Sequence, residues 1–103
     1  MAHDPSSEPL ILVAVLKVPQ AGIADFLAYE ARVLPLVQEH GGTLERRLRN
    51  RDGTVECHLL RFPDRDAFQR FRVDPQRAAA AHLLAASGAT AEIFEMSDVE
   101  SGP

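Results

Sequence analysis

An unbroken apolar run, Leu10–Leu16, is the feature that most constrains how this chain can fold. Apolar residues fill both alternating sets of the run, so a strand there needs cover on both faces and belongs in the centre of a sheet. The run is too short to cross a bilayer, and the segment before it carries Asp4 and Glu8 rather than lysines. It therefore predicts a central strand and neither a membrane span nor a signal peptide.

The length of 103 residues allows one hydrophobic core. We expect a single domain over residues 10–96, flanked by a disordered polar tail, 1–9, and a flexible acidic tail, 97–103. The single Cys57 has no partner for an internal disulfide or a cysteine metal cage, which suits a reducing cytosol. A cytoplasmic location is therefore expected.

Charge is distributed unevenly along the sequence. The formal net charge is -4, yet nine of the eleven Lys and Arg residues lie between Arg46 and Arg77. Five acidic residues are interleaved with them. An acidic chain with mixed charges in its basic segment does not favour nucleic-acid binding.

A strand over Leu10–Lys17 is followed by a helical pattern that begins at Ile23 and continues through His40. Gly41 supplies the left-handed residue that can end this helix. Pro35 conflicts with the pattern because it removes one backbone hydrogen bond. We expect either a bend around Ala31 or a break into two helices.

Two strand-like runs, Thr43–Arg49 and Thr54–Phe62, flank a turn at 50–53 and predict a hairpin. If the loop closes symmetrically, Arg49 lies opposite Thr54. One face then holds mostly apolar pairs and the other holds two polar pairs, Glu45 with His58 and Arg47 with Glu56. A bulge in the loop would shift this register.

The last third of the chain predicts two short helices and a strand. Asp64 is a candidate N-cap for a helix that stops at Val73, and Asp74 caps a second helix over Pro75–Ala86. The final strand is Thr90–Met96. The resulting βαββαβ order predicts a ferredoxin-like α+β fold with a four-stranded antiparallel sheet and its helices on one face.

The second face of such a sheet carries apolar residues from the first and last strands and needs cover. A two-fold dimer buries the same patch on both chains. We therefore expect a homodimer formed through the open sheet face.

His58 and Arg47 are the candidate catalytic residues. A carboxylate beside an imidazole favours its charged form and orients the ring for general acid or base catalysis, and Arg47 could steady an anionic substrate. The alternative is a polar ladder of side chains at the surface or the dimer interface.

Tyr29, Glu45 and His82 are the candidate substrate-binding residues. Tyr29 could line a pocket between helix and sheet, with core packing as the alternative. His82 borders the core in the alanine-rich helix and could instead serve in packing or lie at the surface. No metal-ligand spacing or nucleotide-binding motif occurs in the sequence, so we expect no metal and no cofactor.

Several short motifs, in their order and spacing, resemble a bacterial domain-of-unknown-function family in the dimeric α/β-barrel superfamily, which is related to antibiotic-biosynthesis monooxygenases. They are Glu39-His40-Gly41-Gly42, Phe62-Pro63-Asp64, Ala67-Phe68 and Asp74-Pro75. The resemblance implies a barrel with a pocket rather than one activity. The family usually has a tyrosine and an arginine at places held here by Arg77 and Leu84, which puts any activity that needs them in doubt.

Three functions follow as expectations. The leading one is a homodimer that binds a small hydrophobic or aromatic metabolite between the sheet and the first helix. The second is a cofactor-independent monooxygenase, cyclase or isomerase acting on a polyketide-like or phenolic substrate. The third is a purely structural dimer, which a cavity well below about 300 Å³ would favour.

Overall fold

The computed structural model describes residues 8–100 as four strands and three α-helices in βαββααβ order. The strands are β1 (Leu10–Lys17), β2 (Thr43–Arg49), β3 (Val55–Phe62) and β4 (Thr90–Met96). The helices are α1 (Ile23–Glu39), α2 (Arg65–Arg72) and α3 (Pro75–Ser87), and a 3-10 turn, Gln20–Gly22, leads into α1.

The strands form one antiparallel sheet in the order β2-β3-β1-β4. This confirms the predicted ferredoxin-like α+β fold and the central position of β1. Alternate β1 side chains are buried against the helices, namely Leu10, Leu12, Ala14 and Leu16, whereas those between them are only half-buried. The helices therefore cover one face of the sheet.

Helix α1 is continuous, with Pro35 inside it. The alternative of two separate helices is therefore wrong. Its buried residues recur at helical spacing on the face toward the sheet, and Glu30 is among them at 2% exposure. The helix ends where Gly41 takes a φ of 79°, as its sequence predicted.

Side-chain caps fix the two short helices. Asp64 accepts a hydrogen bond from the Ala67 N–H at 2.8 Å, and Asp74 accepts one from the Gln76 N–H at 2.7 Å. Gly88 ends α3 in the left-handed region. These predicted boundaries are confirmed, with α3 ending one residue later than expected.

The hairpin between β2 and β3 departs from its predicted register. Arg49 lies opposite Glu56 rather than Thr54, and Arg47 lies opposite His58 rather than Glu56. From Arg46 to Arg49 each partner changes by two positions, so Arg47, Glu56 and His58 still share a face.

The loop causes this shift. The Asn50 N–H donates to the Val55 carbonyl at 3.0 Å, and the Val55 N–H donates to Asn50 Oδ1 at 3.0 Å. The Thr54 N–H donates to Asp52 Oδ1 at 3.1 Å. Because Asn50 closes the ladder, the turn moves one residue along the chain.

A β-bulge between Leu44 and Arg46 then reduces the shift to one position, so that Leu44 lies opposite Leu60. It leaves Glu45 without a partner in the β2–β3 register. The predicted pairing of Glu45 with His58 is therefore wrong.

Among residues 8–100, no helix is both long and apolar enough to cross a membrane. Residues 1–7 of the predicted disordered tail and residues 101–103 of the predicted acidic tail lie outside the described residues.

A close backbone contact joins the start of α1 to the end of α3. A Cβ at Gly22 would overlap the Ser87 carbonyl oxygen. We predict that Gly22→Ala destabilises the protein by about 1–3 kcal/mol, as overpacking does. Thermal unfolding should show a Tm lower by several degrees, whereas Gln20→Ala, an exposed neighbour, should leave Tm unchanged. An unchanged Tm for Gly22→Ala would contradict this contact.

Candidate functional site

A cavity of about 90 Å³ lies between the helices and the sheet. Most of its lining is apolar, and it includes Leu16, Val33, Leu60, Phe71 and Leu84. Ile93 on β4 also lines the cavity while remaining 52% exposed, so the cavity opens past β4.

The titratable side chains of the cavity distinguish it from other depressions. Tyr29, Glu30, His58 and Arg77 line it. Two larger depressions of about 370 and 450 Å³ offer no titratable side chain except Lys17. Of these three depressions, the 90 Å³ cavity is therefore the one lined by several titratable side chains.

His58 is held between two buried carboxylates. Its Nε2 lies 2.7 Å from Glu56 Oε1 and 2.9 Å from Glu30 Oε2. The hydrogen bond is made with Glu56, whereas Glu30 Oε2 is a buried acceptor without a hydrogen bond. Contact with carboxylates at Nε2 favours the tautomer that carries its proton there, which leaves Nδ1 as the basic nitrogen of the neutral ring.

Two arginines on β2 complete the cluster. Arg47 donates from Nε to Glu56 Oε1 at 2.6 Å and from an Nη to Glu30 Oε1 at 2.9 Å. Arg49 donates from Nε to Glu56 Oε2 at 2.9 Å. The two carboxylates are thus neutralised by two guanidinium groups, which is the condition under which buried charges are tolerated.

This network shifts the proton affinities of its members. Burial disfavours a charged imidazole, but the close contacts of Nε2 with Glu30 and Glu56 and the negative charges of both carboxylates outweigh it and raise the pKa of His58 above 6.5. Burial also raises the pKa of Glu56, yet hydrogen bonds from His58, Arg47 and Arg49 lower it overall to about 2. Glu56 is therefore a stable carboxylate, and His58 is a strengthened base.

Not all of the predicted site residues come together. His58 and Tyr29 line the cavity. Arg47 is not in the lining, but it donates hydrogen bonds to Glu56 and to Glu30, and Glu30 lines the cavity. Glu45 is exposed at the bulge, and His82 is exposed with Nδ1 3.1 Å from the Ala79 carbonyl oxygen. Neither Glu45 nor His82 is part of the cavity lining.

The alternative interpretation of the polar ladder, a surface or dimer-interface position, is wrong for its central members. Glu56 and His58 are 1% and 5% exposed, respectively, on the side that faces the helices. The register argument separated the two faces of the hairpin without assigning either one to the interior, and the structure places the face with Glu56 and His58 there.

Two residues of the site were missed by the sequence prediction. Glu30 follows Phe26 by four residues and precedes Val33 by three, so its place on the apolar stripe of α1 was a usable signal. Arg77 was noted as a departure from the resembled family, but nothing in its sequence context placed it at the cavity.

The atoms of Glu30, Glu56 and His58 that could bind a metal lie within 4.8 Å of one another. A divalent cation there would have to displace Arg47 and add positive charge to carboxylates that are already neutralised. The hydrogen-bonding pattern favours a site that holds and moves a proton.

No family model matches this sequence, and no curated protein shows a significant match to it. Solved structures, in contrast, do match this chain. SnoaB from Streptomyces nogalater, a cofactor-independent oxygenase, is similar with a TM-score of 0.73 and 24% identity, covering 93% of this chain and 98% of that one.

Two further structures come from proteins proposed to be antibiotic biosynthesis monooxygenases. The one from Caulobacter crescentus has a TM-score of 0.70 at 19% identity, covering 90% of this chain and 93% of its own. The one from Bacteroides thetaiotaomicron has a TM-score of 0.75 at 9% identity, covering 95% and 96%. At these identities the likeness shows the fold, which is the ferredoxin-like fold of antibiotic-biosynthesis monooxygenase-like proteins.

Proposed function

We propose that this protein is a cofactor-independent enzyme that removes a proton from a small phenolic or enolisable aromatic substrate. The observation that carries the proposal is His58 held between two buried carboxylates at the wall of an apolar cavity. The substrate-binding role predicted for Tyr29 belongs to the same proposal.

The proton step uses groups that are already positioned. His58 Nδ1 accepts the proton from the substrate, and Glu30 and Glu56 stabilise the imidazolium that forms. Glu30 lines the cavity, and its Oε2 lies 2.9 Å from His58 Nε2 without accepting a hydrogen bond, so a substrate hydroxyl group can donate to it. The apolar walls suit the ring system of such a substrate.

Two reactions can follow the same deprotonation. In an oxygenase, O2 oxidises the carbanion, a methylene group becomes a carbonyl, and the second oxygen atom leaves as water. In an isomerase, the proton returns to another carbon. The structural similarity to SnoaB, a cofactor-independent oxygenase, supports the oxygenase.

One observation favours a different function. The cavity of about 90 Å³ is smaller than the roughly 300 Å³ that ligand pockets usually have. A structural dimer with a filled interior would account for that volume. Under the enzyme proposal, the cavity widens at its open side, where Ile93 lies, when a substrate enters.

We further propose that the protein acts as a homodimer formed through the open sheet face. That face carries half-buried Val13 and its cross-strand partner Phe94, which is 45% exposed. Leu48 is 51% exposed on the same face, opposite Cys57. A second copy of the chain would remove this apolar surface from water.

Proton abstraction can be tested without oxygen. Anthrone incubated in deuterated buffer under nitrogen should exchange its methylene protons faster with the protein than without it, as followed by proton NMR. We predict that His58→Gln slows the catalysed exchange by roughly 10²–10⁴-fold. His82→Gln should exchange like the parent protein because His82 is exposed and outside the cavity. Equal rates for the two variants would overturn the role of His58.

The same exchange should depend on pH. The neutral imidazole is the base, and its pKa is raised above 6.5, so the rate should be low at acidic pH and rise through a pKa above that value. Replacing Glu30 with Gln removes one source of the shift, so the midpoint should move to lower pH. A rate that falls as pH rises through neutrality would contradict base catalysis.

A substitution in the open sheet face tests whether the protein is a dimer. Phe94→Asp places a charge in the apolar face, so sedimentation at micromolar concentration should show a shift from dimer to monomer. Val73→Asp is the control, since Val73 is 75% exposed and lies between α2 and α3. A parent protein that sediments as a monomer would contradict the dimer.

A further inference from the structure

Arg77, the third residue of α3, has a charge that the described part of the protein does not pair. Its Nη1 donates to the Arg72 carbonyl oxygen at 3.1 Å, and its guanidinium carbon lies 5.2 Å from the centroid of the Phe71 ring. Its Nε is buried without a hydrogen-bond partner. Among residues 8–100, no carboxylate forms an ion pair with it.

The position of this charge is informative because Arg77 lines the same cavity as His58. A guanidinium group stays charged at any physiological pH. The buried Nε–H of Arg77 has no acceptor, which costs free energy, and an oxygen atom from a ligand would remove that cost. The arginines of the buried cluster already bind carboxylates, whereas Arg77 is available for another acceptor.

The balance of charges around the cavity also favours a ligand that carries a negative charge. Glu30 and Glu56 supply two negative charges, and Arg47, Arg49 and Arg77 supply three positive ones. The excess is one positive charge while His58 is neutral and two when it is protonated. A ligand with one negative charge would bring the site toward neutrality, which a low-dielectric cavity favours.

We propose that Arg77 binds an oxyanion on the aromatic ligand, a carboxylate or a phenolate oxygen, and so selects anionic aromatic compounds over neutral ones. This inference rests on the proposed function, since it assumes that the cavity takes an aromatic ligand. The two polar groups then have separate tasks: Arg77 holds the ligand by its oxyanion, and His58 receives the proton.

Salicylate and salicylamide form a matched pair of probes, since both carry a phenol and only salicylate carries a carboxylate. By isothermal titration, the parent protein should bind salicylate at least 10-fold more tightly than salicylamide, as expected for a hydrogen bond to a charged group. Arg77→Met should weaken salicylate binding by 10-fold or more and change salicylamide binding by less than 2-fold. Arg70→Met is the control, because Arg70 is exposed on α2.

Each other outcome is decisive. Equal losses for both probes would show that Arg77 supports the cavity rather than binding an oxyanion, and no loss for either would place it outside the site. A parent protein that binds the two probes equally would overturn the oxyanion preference but leave the proposed function standing. A parent protein that binds neither would overturn the aromatic site itself.

A second measurement needs no ligand. If the unpartnered charge of Arg77 is held for a ligand, Arg77→Met should raise the Tm of the ligand-free protein by about 4 °C or more. A lower Tm would instead assign Arg77 a structural role through its contacts with Phe71 and Arg72.

Discussion

The structure depends on burying two carboxylates and a histidine where helix α1 packs on the inner face of the sheet. Glu56 and Glu30 are nearly inaccessible to water, and each is paired with Arg47. Charges in such a position are tolerated when every partner is present, and an apolar replacement of similar volume is often at least as stable. Stability alone therefore gives no reason for this cluster, whereas the proposed proton transfer at His58 would.

The fold explains how these groups meet. Strand β3 supplies Glu56 and His58, the α1 stripe supplies Glu30, and α3 brings Arg77 to the same cavity. The two helices are held at a fixed distance where Gly22 meets Ser87, since any larger side chain would overlap the Ser87 carbonyl. The cavity is therefore positioned by packing that involves none of the side chains proposed to act on a substrate.

Much of this fold could be predicted from the sequence, because its signals are local. Asp64, Asp74 and Gly88 mark helix ends through contacts with residues a few positions away, and the apolar run of β1 requires a central strand. The hairpin register could not be predicted, since it depends on the side chains of Asn50 and Asp52.

The candidate site was predicted less completely because its geometry is non-local. His58 and Arg47 were identified from their positions on one hairpin face, but the carboxylate next to His58 was taken to be Glu45. The bulge removes Glu45 from the register, and Glu30 reaches His58 from 28 positions earlier in the chain. Arg77 could be placed at the cavity only when α3 was seen packed over the sheet.

NMR of the His58 side chain tests the central claim most directly. The two ring nitrogens of a ¹⁵N-labelled protein report both the tautomer and the pKa as pH is varied. The structure predicts a neutral ring protonated at Nε2 and a pKa above 6.5. A neutral ring protonated at Nδ1, or a pKa below 6.5, would contradict the role of Glu30 and Glu56 as partners of this base.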